Sequence, residues 1–253
     1  MSLKDLGPNP MPSITTDDRT TLYYRDWGDG RPLALLHSIG LSGAVWEGPM
    51  MALVGAGRRC VALDRRGHGR SDDPGRGYDF DTLAGTLTPS LLRSADNPEG
   101  FEASFWDDTI DSLVRDRAGV TVALSRTVLG ADAPVERLHW VAGLAAHTSL
   151  LAIVACLRAE RATDFSVDLG SMTLPTLLLH GDADVLNPLS VTAVRTARAI
   201  PQSRLEVYAG ARHALFTTEP ERFVANVPAF DECVSRRRAR PRLRASRHRA
   251  RMA

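Results

Sequence analysis

Two short segments in the last third of the chain carry an acid and a base at positions that suit hydrolytic chemistry. Residues 180–184 read HGDAD after an apolar run, and residues 210–213 read GARH. A carboxylate after one parallel strand can hydrogen-bond an imidazole on a later turn, which fixes the tautomer and stabilises the protonated ring. We therefore expect Asp184 to be the acid and His213 the base of a catalytic pair.

Both assignments have an alternative. Asp182 is a second candidate for the acid, but its place directly after Gly181 better suits a role within the turn. His213 could instead be a surface histidine that only satisfies local hydrogen bonds.

The residue that such a pair would activate is missing. The chain contains no G-x-S-x-G, the strained turn between a strand and a helix that exposes a nucleophilic serine. Five serines are candidates to replace it, although none lies between two glycines after a strand: Ser38, Ser42, Ser71, Ser90 and Ser94. Ser38 is the best of them, since its loop is expected to face the active-site end of the sheet.

The elements that would position these residues follow an α/β pattern. Residues 20–27 are rich in strand formers, and the apolar run at 32–37 is typical of a strand buried on both faces. A helical pattern at 45–54 leads to a second apolar run at 60–64, which predicts a parallel strand–helix–strand unit. Further strands are predicted at 174–180 and 204–208, with a helix at 191–200.

Residues 91–162 are predicted to form a helical cap. The stretch 101–117 is amphipathic, with Phe105, Ile110, Leu113 and Val114 expected on one side. The apolar stretch 138–157 is interrupted by His147, Thr148 and Ser149, which favours a packed helix or helix pair over a membrane span. Residues 1–90 and 163–232 would then form a split core, with 233–253 as a basic, disordered tail.

One interval of the core looks too short. Residues 79–84 resemble the start of a capped helix, but Gly85, Thr86 and Pro89 follow almost at once, and no long apolar strand appears before Leu174. We interpret this as an internal deletion of roughly 40 residues, about one strand–helix–strand unit. It would remove a central strand together with the nucleophile.

Four motifs in order give the chain a family resemblance. Residues 37–43 (HSIGLSG), 64–72 (DRRGHGRSD), HGDAD and GARH are similar to the oxyanion loop, the loop after the fourth strand, and the acid and base turns of α/β-hydrolases. YDFDTLA at 78–84, DNPEG at 96–100 and the stretch ending at 160–165 most resemble cofactor-free haloperoxidases and related esterases.

The resemblance covers about residues 20–230 and implies a doubly wound, mostly parallel sheet with a helical cap, here missing a central strand. It also implies that the backbone N–H of Ile39 donates to the oxyanion. His68 and Ser71 are expected to serve hydrogen bonds of their own loop. Ser38 stands where the haloperoxidase-like pattern usually has glycine, a change that some lactonase-like relatives share.

Three functional hypotheses follow. The first is a protein of the serine esterase, lactonase or haloperoxidase line, with activity reduced or lost for want of the nucleophile. The second is an enzyme that uses Asp184 and His213 with an activated water or another serine. The third is a non-catalytic binding protein that uses the cap pocket or the basic tail.

Composition adds a charge asymmetry. Residues 236–251 hold nine arginines and no acid, and removing those nine charges from a net charge of +1 leaves −8 for the rest. The tail could be an arm for nucleic acid or anionic membranes. An unselected extension is favoured, because 30 of the 31 basic residues are arginine, as a GC-rich gene would encode.

No cofactor or metal is expected, since the chain has no dinucleotide or Walker motif and Cys60, Cys156 and Cys233 match no metal-ligand spacing. The expected partner is a small ester-like molecule, and the oligomeric state stays open. Neither a signal peptide nor a membrane span is expected, so the predicted location is cytoplasmic.

Overall fold

The structure is a computed structural model that describes residues 11–79 and 88–239. Most of the predicted helix start at 79–84 lies outside the described residues, and so does the Arg-rich tail from Arg240 onward.

The first part of the fold is a mixed sheet of four strands, β1 (Ser13–Thr15), β2 (Thr21–Trp27), β3 (Arg31–Leu36) and β4 (Arg58–Leu63). The spatial order is β1-β2-β4-β3, and only β3 and β4 run parallel. Their register runs from Arg31 opposite Arg58 to Leu36 opposite Leu63. The predicted parallel strand–helix–strand unit is therefore present.

The second part is a separate pair of parallel strands, β5 (Thr176–Gly181) and β6 (Ser203–Tyr208). The α/β fold class is confirmed. The sheet, however, is mixed rather than mostly parallel, and among the described residues it is divided in two. Along the chain the division falls between β4 and β5, the interval in which the sequence predicted a missing strand.

Nine helices occur in the described part of the chain. A 3₁₀ turn at Gly43–Trp46 leads into the first of them. Their bounds are α1 Glu47–Gly55, α2 Ser104–Arg115, α3 Arg117–Leu129, α4 Val135–Ala146, α5 Leu150–Ala162, α6 Ser166–Ser171, α7 Ala193–Ala199, α8 Leu215–Thr218 and α9 Pro220–Ala239.

Strand β3 is not buried on both faces, so that prediction is wrong. Leu33 and Leu35 pack against the cluster formed by Met50, Leu53 and their neighbours. The other face of the strand is open, and Leu36 is 41% exposed. The composition suits a central strand, but the structure makes β3 an edge because no described strand pairs with its second side.

The buried face of α2 also differs from the prediction. Ile110 and Leu113 are buried as expected, but Phe105 is 36% and Val114 64% exposed. Trp106, at 1% exposure, takes the third position on the buried face. Trp106, Ile110 and Leu113 are spaced by four and then three positions, so they lie on one side of the helix. Phe105 does not share that side.

The apolar stretch of the cap forms two helices, α4 and α5, which break at the predicted polar residues. Ser149 caps α5 by accepting the Ala152 amide at 3.3 Å. Arg117 donates to the carbonyl of Ala145 at 3.0 Å and also to that of Thr148. Within residues 11–79 and 88–239, no single helix could span a membrane; only this pair, bent by 90°, passes by length and composition.

Helix α9 continues through Ala239, so its last residues lie within the segment 233–253 that the sequence assigned to the tail. Asp231 fixes α9 to the first sheet through ion pairs with Arg31 at 2.6 Å and Arg58 at 2.5 Å. Both arginines lie at the beginning of their strands.

We predict that β3 exchanges its backbone amides faster than β4. Strand β4 has partners on both sides, whereas β3 has one, so part of its amides lack a ladder partner. Hydrogen exchange followed by mass spectrometry should show earlier deuterium uptake in residues 33–36 than in residues 60–63. Equal protection of the two strands would mean that another polypeptide segment covers the β3 edge.

Candidate active site

The turn after β5 is fixed to the turn after β6 by backbone contacts. The Asp182 amide donates to the Tyr208 carbonyl at 3.2 Å, and the Ala183 amide donates to the Ala211 carbonyl at 3.0 Å. The Asp182 carboxylate accepts the Gly210 amide at 2.6 Å. Asp182 therefore serves the turn, and the two turns hold the following acid and base at a set separation.

Asp184 and His213 meet at this junction. The imidazole Nδ1 of His213 donates to Oδ2 of Asp184 at 2.9 Å, and the side chains are 25% and 3% exposed. Oδ1 of Asp184 accepts the amides of Leu186 at 3.0 Å and Asn187 at 2.9 Å. This geometry directs the ring of His213 and leaves its Nε2 available as a base.

Burial alone would raise the pKa of Asp184. The hydrogen bond and charge of His213, the Asn187 amide and the charge of His180 outweigh that effect, so the pKa of Asp184 lies below its usual value. The carboxylate is therefore ionised at neutral pH and can stabilise a protonated His213.

A second imidazole lies beside the same carboxylate and was missed in the sequence. Nε2 of His180 donates to the Asn187 carbonyl at 2.8 Å and lies 3.6 Å from Oδ2 of Asp184. His180 thus fastens the loop whose amides bind Asp184. The only sign of this contact in the sequence was the four-residue spacing between His180 and Asp184 within HGDAD. That spacing is not specific to such a contact.

The predicted oxyanion loop is held by two buried histidines. His37 donates from Nδ1 to the Ser38 carbonyl at 2.8 Å, and its Nε2 accepts the Arg65 amide at 2.9 Å. His68 donates from Nδ1 to the Arg66 carbonyl at 2.8 Å, and its Nε2 accepts the Gly40 amide at 3.3 Å. Each ring accepts a hydrogen bond, so both must be neutral.

The surroundings keep these rings neutral. Burial, followed by the charge of Arg65, lowers the pKa of His37 well below its usual value. Burial likewise lowers the pKa of His68 to about 4, against the opposing effect of its bond to the Arg66 carbonyl. His68 therefore has the structural role that the sequence predicted.

Asp64 ties this loop to the first sheet. Its side chain is 1% exposed and accepts the amides of Gly43 at 2.6 Å and Arg70 at 2.9 Å. Arg25 of β2 donates to the same carboxylate at 3.3 Å. Ser71 donates to the Asp64 carbonyl at 2.5 Å and accepts the Tyr23 amide at 2.9 Å, so Ser71 also serves the loop.

The sequence predicts Ile39 as an oxyanion donor through its backbone amide. Its side chain packs against Tyr78, Ala152 and Cys156, and its amide has no acceptor among the described residues. The loop adjoins the turn of His213, because Leu41 packs in one cluster with Ala214. The oxyanion loop and the base therefore lie at the same end of the fold.

None of the candidate serines is hydrogen-bonded to His213 in the described part of the chain. Ser38 is exposed, Ser42 is buried at the start of the 3₁₀ turn, and Ser71 is engaged by Asp64. The carbonyl oxygen of Ser90 accepts hydrogen bonds from the side chains of Asn97 and Arg195. Ser94 forms an isolated β-bridge with Asn97. The structure thus brings the acid and base together without a partner serine.

Comparison with known proteins identifies the family of this chain. The alpha/beta hydrolase fold profile matches residues 31–116. A putative non-heme chloroperoxidase of Synechocystis is 30% identical over 83% of this chain and 96% of its own length. The chain belongs to the α/β-hydrolase superfamily.

Two further α/β-hydrolases agree with this placement. The non-heme chloroperoxidase CPO-A1 of Kitasatospora aureofaciens is 28% identical over 87% of this chain and 99% of its own length. An esterase from Exiguobacterium antarcticum superposes with a TM-score of 0.82 at 23% identity, covering 86% of this chain and 98% of the esterase, which supports the fold.

The described part of this α/β-hydrolase contains no cluster of side chains that could bind a metal ion. Across residues 11–79 and 88–239, no three His, Cys, Asp or Glu side chains are arranged to hold a metal ion. All three cysteines are free thiols, and Cys60 and Cys156 are buried.

We predict that Gly181→Ala disrupts the junction of the two turns. A methyl group at Gly181 would overlap the backbone carbonyl of Ala211, which cannot move without shifting His213 two residues later. The variant should lose about 2 kcal/mol of unfolding free energy, measured by urea denaturation.

Gly143→Ala is the matched control for that prediction. Gly143 lies within α4 with no atom near the added methyl group, so alanine should be neutral or stabilising there. Similar stabilities of the two variants would contradict the close approach at Gly181.

We predict that the folded protein loses stability between pH 6.5 and about 4. Imidazoles of the unfolded chain bind protons below about pH 6.5, whereas folded His37 and His68 resist protonation. Stability is therefore full above that range and falls by about 1 kcal/mol per pH unit for each ring. Urea unfolding at pH 7, 6 and 5 measures this slope, and His68→Gln should reduce it. A flat profile would show that the rings are charged in the fold.

Proposed function

We propose that this α/β-hydrolase derives from enzymes acting on small carboxylic esters and keeps their acid and base, with its acyl-transfer activity reduced or lost. The observation that carries the proposal is the 2.9 Å bond between His213 and Asp184 in a site where no described serine is hydrogen-bonded to His213. Asp184 orients His213, and the Ile39 amide is the remaining oxyanion donor.

The names of the relatives support an ester-like substrate. The Synechocystis and Kitasatospora proteins are named as non-heme chloroperoxidases, and the protein from Exiguobacterium is an esterase. Cofactor-free haloperoxidase chemistry proceeds through a peracid and needs the same serine as ester hydrolysis. The loss of that serine would therefore reduce both reactions together.

The extent of the alignments supports an internal deletion. The Kitasatospora alignment runs over 274 positions but takes in 87% of this 253-residue chain, or about 220 residues. About 50 positions of that alignment therefore hold no residue of this chain. The interval is slightly longer than the one inferred from the sequence and would accommodate a strand, a helix and a further strand.

The missing interval explains why the acid and base survive without their nucleophile. Asp184 and His213 follow β5 and β6, which pair with each other. The nucleophile would follow a strand between β3 and β5, at the division of the sheet. His213 then has only water to activate, and one oxyanion donor remains of the usual two.

We predict that the purified protein hydrolyses p-nitrophenyl acetate slowly and without a burst. His213→Ala should change the rate less than about tenfold, because the loss of one triad member costs little once another is missing. Circular dichroism should show that both proteins are folded.

His139→Ala is the control, since it removes an exposed imidazole of α4 that takes no part in the Asp184–His213 pair. A burst of about one p-nitrophenol per chain that disappears in His213→Ala would overturn the proposal. In that case Ser38→Ala becomes the next variant to assay.

A further inference from the structure

Arg65 is a buried cation without a partner. It directly follows Asp64 at the end of β4 and is 6% exposed. Its Nε and Nη2 atoms are closed to solvent and have no hydrogen-bond acceptor among the described residues. Buried charges in proteins are normally paired, because an unpaired one costs several kcal/mol.

The neighbours of Arg65 do not supply the missing charge. Its backbone amide binds His37, and the electrostatic neighbours of its guanidinium include His37, His68 and Cys156. Both histidines are held neutral, and burial raises the pKa of the Cys156 thiol to about 11. The guanidinium therefore carries one positive charge that this set of side chains leaves uncompensated.

The two unsatisfied atoms define the shape of the ligand. Nε and Nη2 form one edge of the planar guanidinium, and that edge matches the two oxygens of a carboxylate. A phosphate would bring further oxygens that need donors or counter-charges, but the neighbours of this guanidinium are two neutral histidines and a thiol. One positive charge and two parallel donors fit a monocarboxylate better.

We propose that Arg65 binds the carboxylate of a short monocarboxylic acid through its Nε–Nη2 edge, beside the loop that carries Ile39. The site does not require ester hydrolysis and can exist whether or not the protein is an enzyme. Because the edge is closed to solvent, binding requires the side chains that cover it to move.

The test is the thermal stability of the full chain in butyrate and in chloride at equal ionic strength, at pH 7. Butyrate should raise the Tm of the wild type by about 3 °C or more above the chloride value. Arg65→Met should abolish this difference while remaining folded, because the variant no longer buries an unpaired charge. Arg65→Lys keeps the charge but loses the two-donor edge, so it should respond weakly.

Arg115→Met is the matched control, since Arg115 is an exposed arginine of α2 and its loss should leave the butyrate response intact. No butyrate-specific rise in the wild type would overturn the proposal. An equal rise in wild type and Arg65→Met would do the same, because it would reflect a general effect of the salt. Neither outcome bears on the ester-hydrolysis assay, which uses no added carboxylate.

Discussion

Among the described residues, no hydrogen-bonded ladder links the two sheets. Side-chain packing connects them instead, and helix α9 provides much of that packing. Val224 and Val227 pack against the core of the first sheet, whereas Phe223 packs against Tyr208 and its neighbours in the second. Trp46, just before α1, stacks on Phe223 and packs against Phe216 with the rings tilted. Side-chain packing of this kind tolerates a gap in a sheet, because it does not depend on strand register.

This arrangement places the parts of the candidate site on different sheets. The acid and base belong to the second sheet, where two adjacent turns fix each other through backbone bonds. The oxyanion loop belongs to the first sheet, where Asp64, His37 and His68 hold it. Each piece is positioned locally, so its geometry does not depend on a ladder between the two sheets.

Much of the candidate site could be predicted from local sequence motifs. The Asp184–His213 contact followed from two short motifs, each at the end of an apolar strand, and the roles of His68 and Ser71 from the loop that contains them. The exposure of β3 could not be read from an apolar run, because burial depends on whether a neighbouring strand exists. The buried face of α2 and the extension of α9 depended likewise on which surfaces each helix meets. Arg65 looked like an ordinary loop residue until its surroundings were known.

The position of α9 at the end of the described chain also bears on how the protein is made. Strands β2 to β4 and the pair β5–β6 are each assembled from nearby segments and can form as they leave the ribosome. The helix that packs against both is synthesised after them. Until it emerges, the nascent chain holds two partial sheets with open edges, so the period of greatest exposure to mispairing or chaperone capture lasts until α9 is available to pack.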